Sequence, residues 1–471
     1  MYDLPTLPSS LDPRPIPSVS AGSQLQLSEL LGALSYALDL TEGQPIGHCV
    51  RATWIGLRIG RQMGLPDAEL WELYYTVMLK DLGCSSNAAR ICELYMSDDI
   101  SFKRDSKTLG ESLPKVLGFI MSHTGQRSAL GARLRAILHI VQNGSRIVDE
   151  IIETRCQRGA QIAAKLRFPV AVSRGIYSLD EHWNGGGRPD RLAGEAIPLY
   201  ARIALLAQVV DVFHQAAGRE AALAEVRARS GAWFDPALVA SFEEAARDEA
   251  FWQILSSPDI GDTVFHLEPG FGSIVLDEVY LDDIAEAFAE VIDSKSPFTS
   301  GHSERVAAYA VLVATELGYA PDRLRWLRRA ALLHDIGKLG VSNAILDKNG
   351  KLDTEEWTAM RQHASESQSI LSRVPAFAEM ANVGGAHHER LDGKGYPLGL
   401  SAEKIDLDTR IVTVADVFDA LTADRPYRAA MPTERALDIM RADVGTAFDP
   451  LCFDALLRAI GRAENALANA A

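Results

Sequence analysis

The chain has 471 residues, more than one ordinary core uses, so two domains are expected. Its formal net charge of −16 argues against coating duplex nucleic acid or inserting into an anionic membrane, although a local cationic site could still hold a small anionic substrate. The five cysteines, Cys49, Cys84, Cys92, Cys156 and Cys452, form no CxxC pair and no even framework, which reads as reduced thiols in a cytoplasmic protein.

Residues 1–24 are rich in Pro and Ser and read as a disordered tail, with no basic start and apolar run of a signal peptide. Beyond them the pattern is helical almost throughout. Leucines recur at helical spacing in LSELLGALSYALDL, and apolar residues do so in 284–294 and 306–317. Asp353-Thr354-Glu355-Glu356 marks a helix start. Only IVLDEVYLDD (274–283) could be briefly extended, so the expected fold class is all-α, with a short extended segment at a domain junction. No apolar run reaches the roughly 20 residues that cross a membrane.

The chain repeats itself. GHCVRATWIGLRIGRQMGLP (47–66) parallels GHSERVAAYAVLVATELGYA (301–320), and in each copy an Asp follows the leading His by 33 residues: His48 to Asp81, His302 to Asp335. WNGGGRP, RIALLAQVVDVF and GAWFDP then match LDGKGYP, RIVTVADVFDAL and GTAFDP in the same order. The reading is two tandem helical domains at 25–256 and 281–462, a linker at 257–280 carrying Pro258, Pro269, Gly270 and Gly272, and a C-terminal tail at 463–471.

The second copy carries the chemistry. His334 and Asp335 follow an apolar helical run, where imidazole offers a neutral nitrogen and a carboxylate can bridge two cations. His302 begins an earlier helix, His363 is expected to open one after Trp357, His387 and His388 are adjacent, and Asp416 lies within apolar VTVADVF. Each alone has a bland reading as a core or surface side chain. Together, five His and two Asp supply enough donors for two metals with positions left open. Gly393, Gly395 and Pro397 make DGKGYP either a structural turn or a substrate-facing loop. Arg323, Arg325, Arg328 and Arg329 read as a solvated face or partner surface.

His334-Asp335, HHERLDGKGYP (387–397), ADVFDALT (415–422) and RPYR (425–428) resemble the HD-GYP domain, over about residues 280–462. The resemblance implies an all-helical HD core and a bacterial cyclic di-GMP phosphodiesterase with two divalent metal ions, iron or manganese before zinc. It implies that His302, His334, Asp335, His363, His387, His388 and Asp416 hold the metals, with Asp335 bridging and also catalytic, and that Lys338 acts on the reacting phosphate. Arg425 and Arg428 would hold phosphate groups, while Tyr396 and Asp419 would shape the base and ribose site. Phe298 stands where a three-metal variant of the family has Glu. The alternatives are a non-hydrolysing cyclic-dinucleotide sensor, or an HD phosphohydrolase of another nucleotide.

The first copy keeps only His48 and Asp81 of that set. Lys80 replaces His334, Cys84 replaces Lys338, Cys156 is aligned with His363, Leu179-Asp180 with His387-His388, Gln208 with Asp416 and Arg188 with Tyr396. It is expected to be catalytically inert, either a structural domain that packs against the active one or a regulatory pseudoenzyme whose pocket binds a nucleotide without cleaving it, and a homodimer or signalling-protein contact would run through this domain.

Overall fold

The computed structural model describes residues 26–470 except 110–111, 127, 271–275 and 425–427. The expected tail at 1–24 lies outside the described residues. The first copy is built on α1 (Leu27–Thr41), α2 (His48–Gln62), α3 (Asp67–Met78), α4 (Asp99–Ser106), α5 (Leu130–Lys165) and α6 (Leu199–Ala217). The second is built on α7 (Glu278–Asp293), α8 (His302–Glu316), α9 (Pro321–Leu333), α10 (Thr354–Leu371), α11 (Ala378–Ala386), α12 (Leu407–Thr422) and α13 (Pro450–Ala470). Among the described residues there is no strand, only four isolated bridges, two per copy at matching places.

Local chemistry explains the helix starts. Asp353 and Glu356 form a reciprocal capping box at α10, as the sequence predicts. Asp277 caps α7 and Asp406 caps α12. Gly47 and Gly301 enter α2 and α8 with φ of 90° and 67°, a left-handed conformation that glycine adopts without steric cost. The extended segment expected at 274–283 is not found: 271–275 lie outside the described residues, and α7 begins at Glu278 because Asp277 caps it. The expected linker also contains a helix, Ile260–His266, whose Val264 is fully buried. The backbone of α13 continues to Ala470, so 463–470 is helical rather than an irregular tail.

The same packing plan is used twice. Helix α2 packs on α3 and α6, as α8 packs on α9 and α12. A tight 3₁₀ turn follows the His/Asp or Lys/Asp pair in each copy, Cys84–Asn87 against α5 and Ile336–Gly340 against α10. The two copies also share their first helices, each of which packs on its own copy and on the other. Helix α1 lies on the 336–340 turn and α10 of the second copy, and α7 lies on the 84–87 turn and α5 of the first. That sandwich accounts for the pattern of α1, in which Leu30, Leu31, Leu34 and Leu38 are fully buried and so are Ser28 and Ser35 on the other side. One continuous apolar core therefore runs from Leu27 to Leu456.

The arginine run of α9 is not a solvated face. Arg323 is buried against Asp408 and Glu379, and Arg329 against Asp282 and Glu278, so both fasten α9 to neighbouring helices. Only Arg325 and Arg328 keep substantial exposure, and both still face α7 through Asp282 and Glu286.

Candidate metal and active site

Five helix ends and faces converge in the second copy. His302 opens α8, His334 closes α9 with Asp335 next to it, His387 closes α11 with His388 next to it, and Asp416 lies inside α12. His363 lies within α10 rather than at its start, because the Asp353 cap begins that helix before Trp357.

Asp335 is the centre. Its Oδ2 lies 3.4 Å from His302 Nε2 and 3.2 Å from His334 Nε2, and its Oδ1 lies 3.4 Å from His363 Nε2 and 3.5 Å from His387 Nε2. Asp416 Oδ1 lies 3.3 Å from His302 Nε2 and 4.0 Å from His334 Nε2. His363 Nε2 is 3.1 Å from His388 Nε2 and 3.4 Å from His387 Nε2.

The outward nitrogens fix the tautomers. Nδ1 of His334, His363 and His387 donates to the carbonyls of Ala331, Met360 and Gly384. A carbonyl has only lone pairs, so the proton sits on Nδ1 and each Nε2 turns a lone pair inward. The Nε2 lone pairs of His363 and His387 therefore face each other at 3.4 Å and cannot hydrogen-bond. His302 Nε2, His334 Nε2 and Asp335 Oδ1 are buried without a hydrogen-bond partner. A cation satisfies all of these groups at once, and the donor set fits a divalent metal.

Electrostatics agrees. Burial pushes His363 down to about 3. Burial also lowers His388 well below its ordinary value, with His387 and His363 adding to the effect. Burial would raise Asp335 and Asp416, yet the surrounding His side chains, and Lys338 beside Asp335, hold both well below the usual carboxylate range. Burial disfavours an imidazolium at His302, but the carboxylates of Asp335, Asp416 and Asp419 that face it push it up to about 10, so His302 would give up a proton on binding a cation. Neutral imidazoles and ionised carboxylates are the forms that bind metal.

Among the described residues, the ligand-type groups of the second copy whose atoms lie within 4.8 Å of one another are Asp335-His363-His387-His388, His302-His334-Asp335 and His334-His387-Asp416. Phe298 belongs to none of them; its backbone N–H donates to Ser296 Oγ. Lys338, on the 336–340 turn, makes an ion pair with Asp335.

Two expectations for the substrate side change. Asp419 does not face a base or ribose: it is buried, accepts from His302 Nδ1 at 2.7 Å, and is gripped by Arg305 at 2.6 and 3.1 Å. Arg428 spends its guanidinium on the carbonyls of Ala420, Leu421 and Ala429, closing the end of α12 instead of reaching toward a phosphate. Arg425 lies outside the described residues.

Tyr396 stands at the rim, with its ring stacked on His388 at 4.7 Å between centroids and Arg361 at 5.2 Å from its own centroid. Its loop is held by Glu389, which accepts the backbone N–H groups of Leu398, Gly399 and Leu400. Arg305, Arg361 and Glu389 were missed by the sequence reading. The signal for Arg305 was available: it stands three residues after His302, as Arg51 stands after His48, and Arg51, His48 and Asp211 repeat the same triad.

The first copy has filled its twin site with its own cations. Lys80 makes an ion pair with Asp81, Lys107 and Lys103 reach Glu42 at 2.8 and 3.6 Å, and Arg155 pairs with Asp180. The counterpart of His363 is Arg155, not Cys156. A side chain at Gly83 would strike the Arg155 carbonyl at 1.9 Å, just as one at Gly337 would strike the His363 carbonyl at 2.1 Å. The alignment slips by one residue here because Arg155 and Cys156 share no side-chain chemistry with His.

The HD domain family matches residues 135–238 and 286–451. The 3′3′-cGAMP-specific phosphodiesterase 3 of Vibrio cholerae is 53% identical over 440 residues, covering 93% of this chain and 96% of that protein. The cyclic di-GMP phosphodiesterase response regulator RpfG of Xanthomonas campestris is 43% identical over 178 residues, covering 37% of this chain and 47% of its own. A crystal structure of a cyclic GMP-AMP-specific phosphodiesterase of V. cholerae, V-cGAP3, superposes with a TM-score of 0.66 at 48% identity, covering 93% of this chain and 98% of that one.

Proposed function

The chain belongs to the HD domain family and is a phosphodiesterase of the HD-GYP type, and from that premise we propose that it opens 3′3′-cGAMP in the cytoplasm, using the site of the second copy. The observation that carries the substrate is the extent of the likeness. A relative named for 3′3′-cGAMP matches 93% of this chain, across both copies, whereas a relative named for cyclic di-GMP, RpfG, matches 37% of it. Cyclic di-GMP is the second reading, favoured by that shorter match.

In this reading His302, His334, Asp335 and Asp416 would hold one divalent cation and Asp335, His363, His387 and His388 the other, iron or manganese before zinc. Bound there, the cations would supply Lewis-acid activation of water and neutralise phosphoryl charge. The protein's own groups do the rest. Lys338 brings a positive charge beside Asp335, where it can meet a non-bridging phosphoryl oxygen. Tyr396 and Arg361 offer a ring and a guanidinium at the rim on which a nucleobase can stack. Asp419 and Arg305 hold His302 in its working tautomer. The first copy is an inert partner, and the boundary between the copies falls within 257–280.

The test is turnover by purified full-length chain with manganese or ferrous iron, comparing 3′3′-cGAMP with cyclic di-GMP. Faster cleavage of cGAMP, abolished by Asp335→Asn, is expected. Faster cleavage of cyclic di-GMP would overturn the substrate, and tight binding of either without turnover would make the protein a sensor.

A further inference from the structure

We propose that Asp99, a residue of the first copy, is a positioning residue for the reaction at the second copy's site. This rests on the phosphodiesterase reading. Asp99 lies in the first turn of α4 and is fully buried. Its Oδ1 accepts the backbone N–H of Asn343 at 2.7 Å and the hydroxyl of Ser342 at 3.2 Å. Its Oδ2 faces the ammonium of Lys295 at 3.3 Å, and Lys295 is itself 1% exposed.

Both segments that Asp99 holds lead straight to the site. Lys295 begins the connection from α7 into His302, and Ser342 and Asn343 follow the 336–340 turn that carries Lys338. The two segments are cross-tied as well. Asn343 Nδ2 donates to the Lys295 carbonyl and to Asp347, each at 2.7 Å, and Ser296 hydrogen-bonds to Asp347. Asp99 closes this junction with a charge from outside the second copy.

The helix that supplies Asp99 has no counterpart in the second copy. Arg155 follows Asp81 by 74 residues, whereas His363 follows Asp335 by only 28, and α4 falls in the added stretch. The second copy thus depends on its partner for the anchor of its own turn. Reacting groups must be held to a fraction of an ångström, and a displacement of about 1 Å costs roughly 100-fold in rate.

The experiment uses full-length chain loaded with manganese, with Asp99→Ala and, to remove the ammonium left unpaired, Asp99→Ala/Lys295→Met. Amide exchange over 336–347 and steady-state turnover are read together. Positioning predicts exchange about tenfold faster and kcat lower by roughly 10- to 100-fold, with KM within about twofold, in the folded double variant. Asp99→Asn, which keeps the acceptor for Asn343, should recover most of kcat. A folded double variant with wild-type kcat, or a loss that only tracks the folded fraction, would overturn the proposal. A wild-type chain that cleaves neither dinucleotide would sink the phosphodiesterase reading, and this proposal with it.

Discussion

His302 shows how one residue's chemistry depends on three others. Its Nε2 faces Asp335 and Asp416, its Nδ1 is held by Asp419, and Arg305 keeps that carboxylate ionised and in place. Replacing Asp419 by Asn keeps the size but offers the imidazole a weaker acceptor and leaves Arg305 without its charge partner. A group that hydrogen-bonds a metal-binding imidazole in this way typically changes metal affinity or activity by about 10–100-fold. Asp419→Asn is therefore expected to lower manganese affinity and turnover by that factor, read by metal titration and initial rates, with KM for the dinucleotide little changed. A change confined to KM would return Asp419 to the substrate side. The same triad recurs in the first copy, where Asp211 holds His48 Nδ1 and is gripped by Arg51.

At the scale of elements, the tight turn after the His-Asp pair is the part most sensitive to packing. Gly337 brings the turn so close to α10 that an added Cβ would lie 2.1 Å from the His363 carbonyl and 2.7 Å from the Ser367 nitrogen. Both obstacles are backbone, so they cannot rotate away. Gly337→Ala should destabilise the protein by about 1–3 kcal/mol, the usual cost of overpacking a filled interior. It should also lower activity, because it pushes His363 and Lys338 apart. Thermal melting and turnover of the variant test both; an unchanged midpoint would mean that α10 can retreat. The helix pattern, the capping box at Asp353 and the leading His of α2 and α8 were legible from sequence because each depends on residues a few positions apart. The place of His363 differs from the expectation because the helix that Asp353 caps runs on through Trp357 and His363 without a break.

For the whole molecule, the sharing of α1 and α7 between the copies joins their cores into one. Leu30, Leu31, Leu34 and Leu38 are fully buried, and the helix that carries them covers the partner copy's turn. Unfolding should accordingly be one cooperative transition. Far-ultraviolet circular dichroism and tryptophan fluorescence, to which Trp54, Trp71, Trp183, Trp233 and Trp252 contribute from the first copy and Trp326 and Trp357 from the second, should give one shared midpoint. Two separated midpoints would show that the copies fold independently.

Donor chemistry and repetition were written in the order of residues. His334-Asp335, His387-His388 and Asp416 announced a site built of imidazole and carboxylate, and the recurring blocks announced a second domain that had lost it. Function beyond that needed the tertiary structure, because distance in sequence does not tell which polar group meets which. Asp419 lies three residues from Asp416, on the same face of α12, and sequence alone could not tell a substrate contact from an orienting one. Asp99 lies 244 residues before Asn343, with which it shares a 2.7 Å hydrogen bond. No local pattern marks such a pair, since only the packing of one copy against the other brings it together.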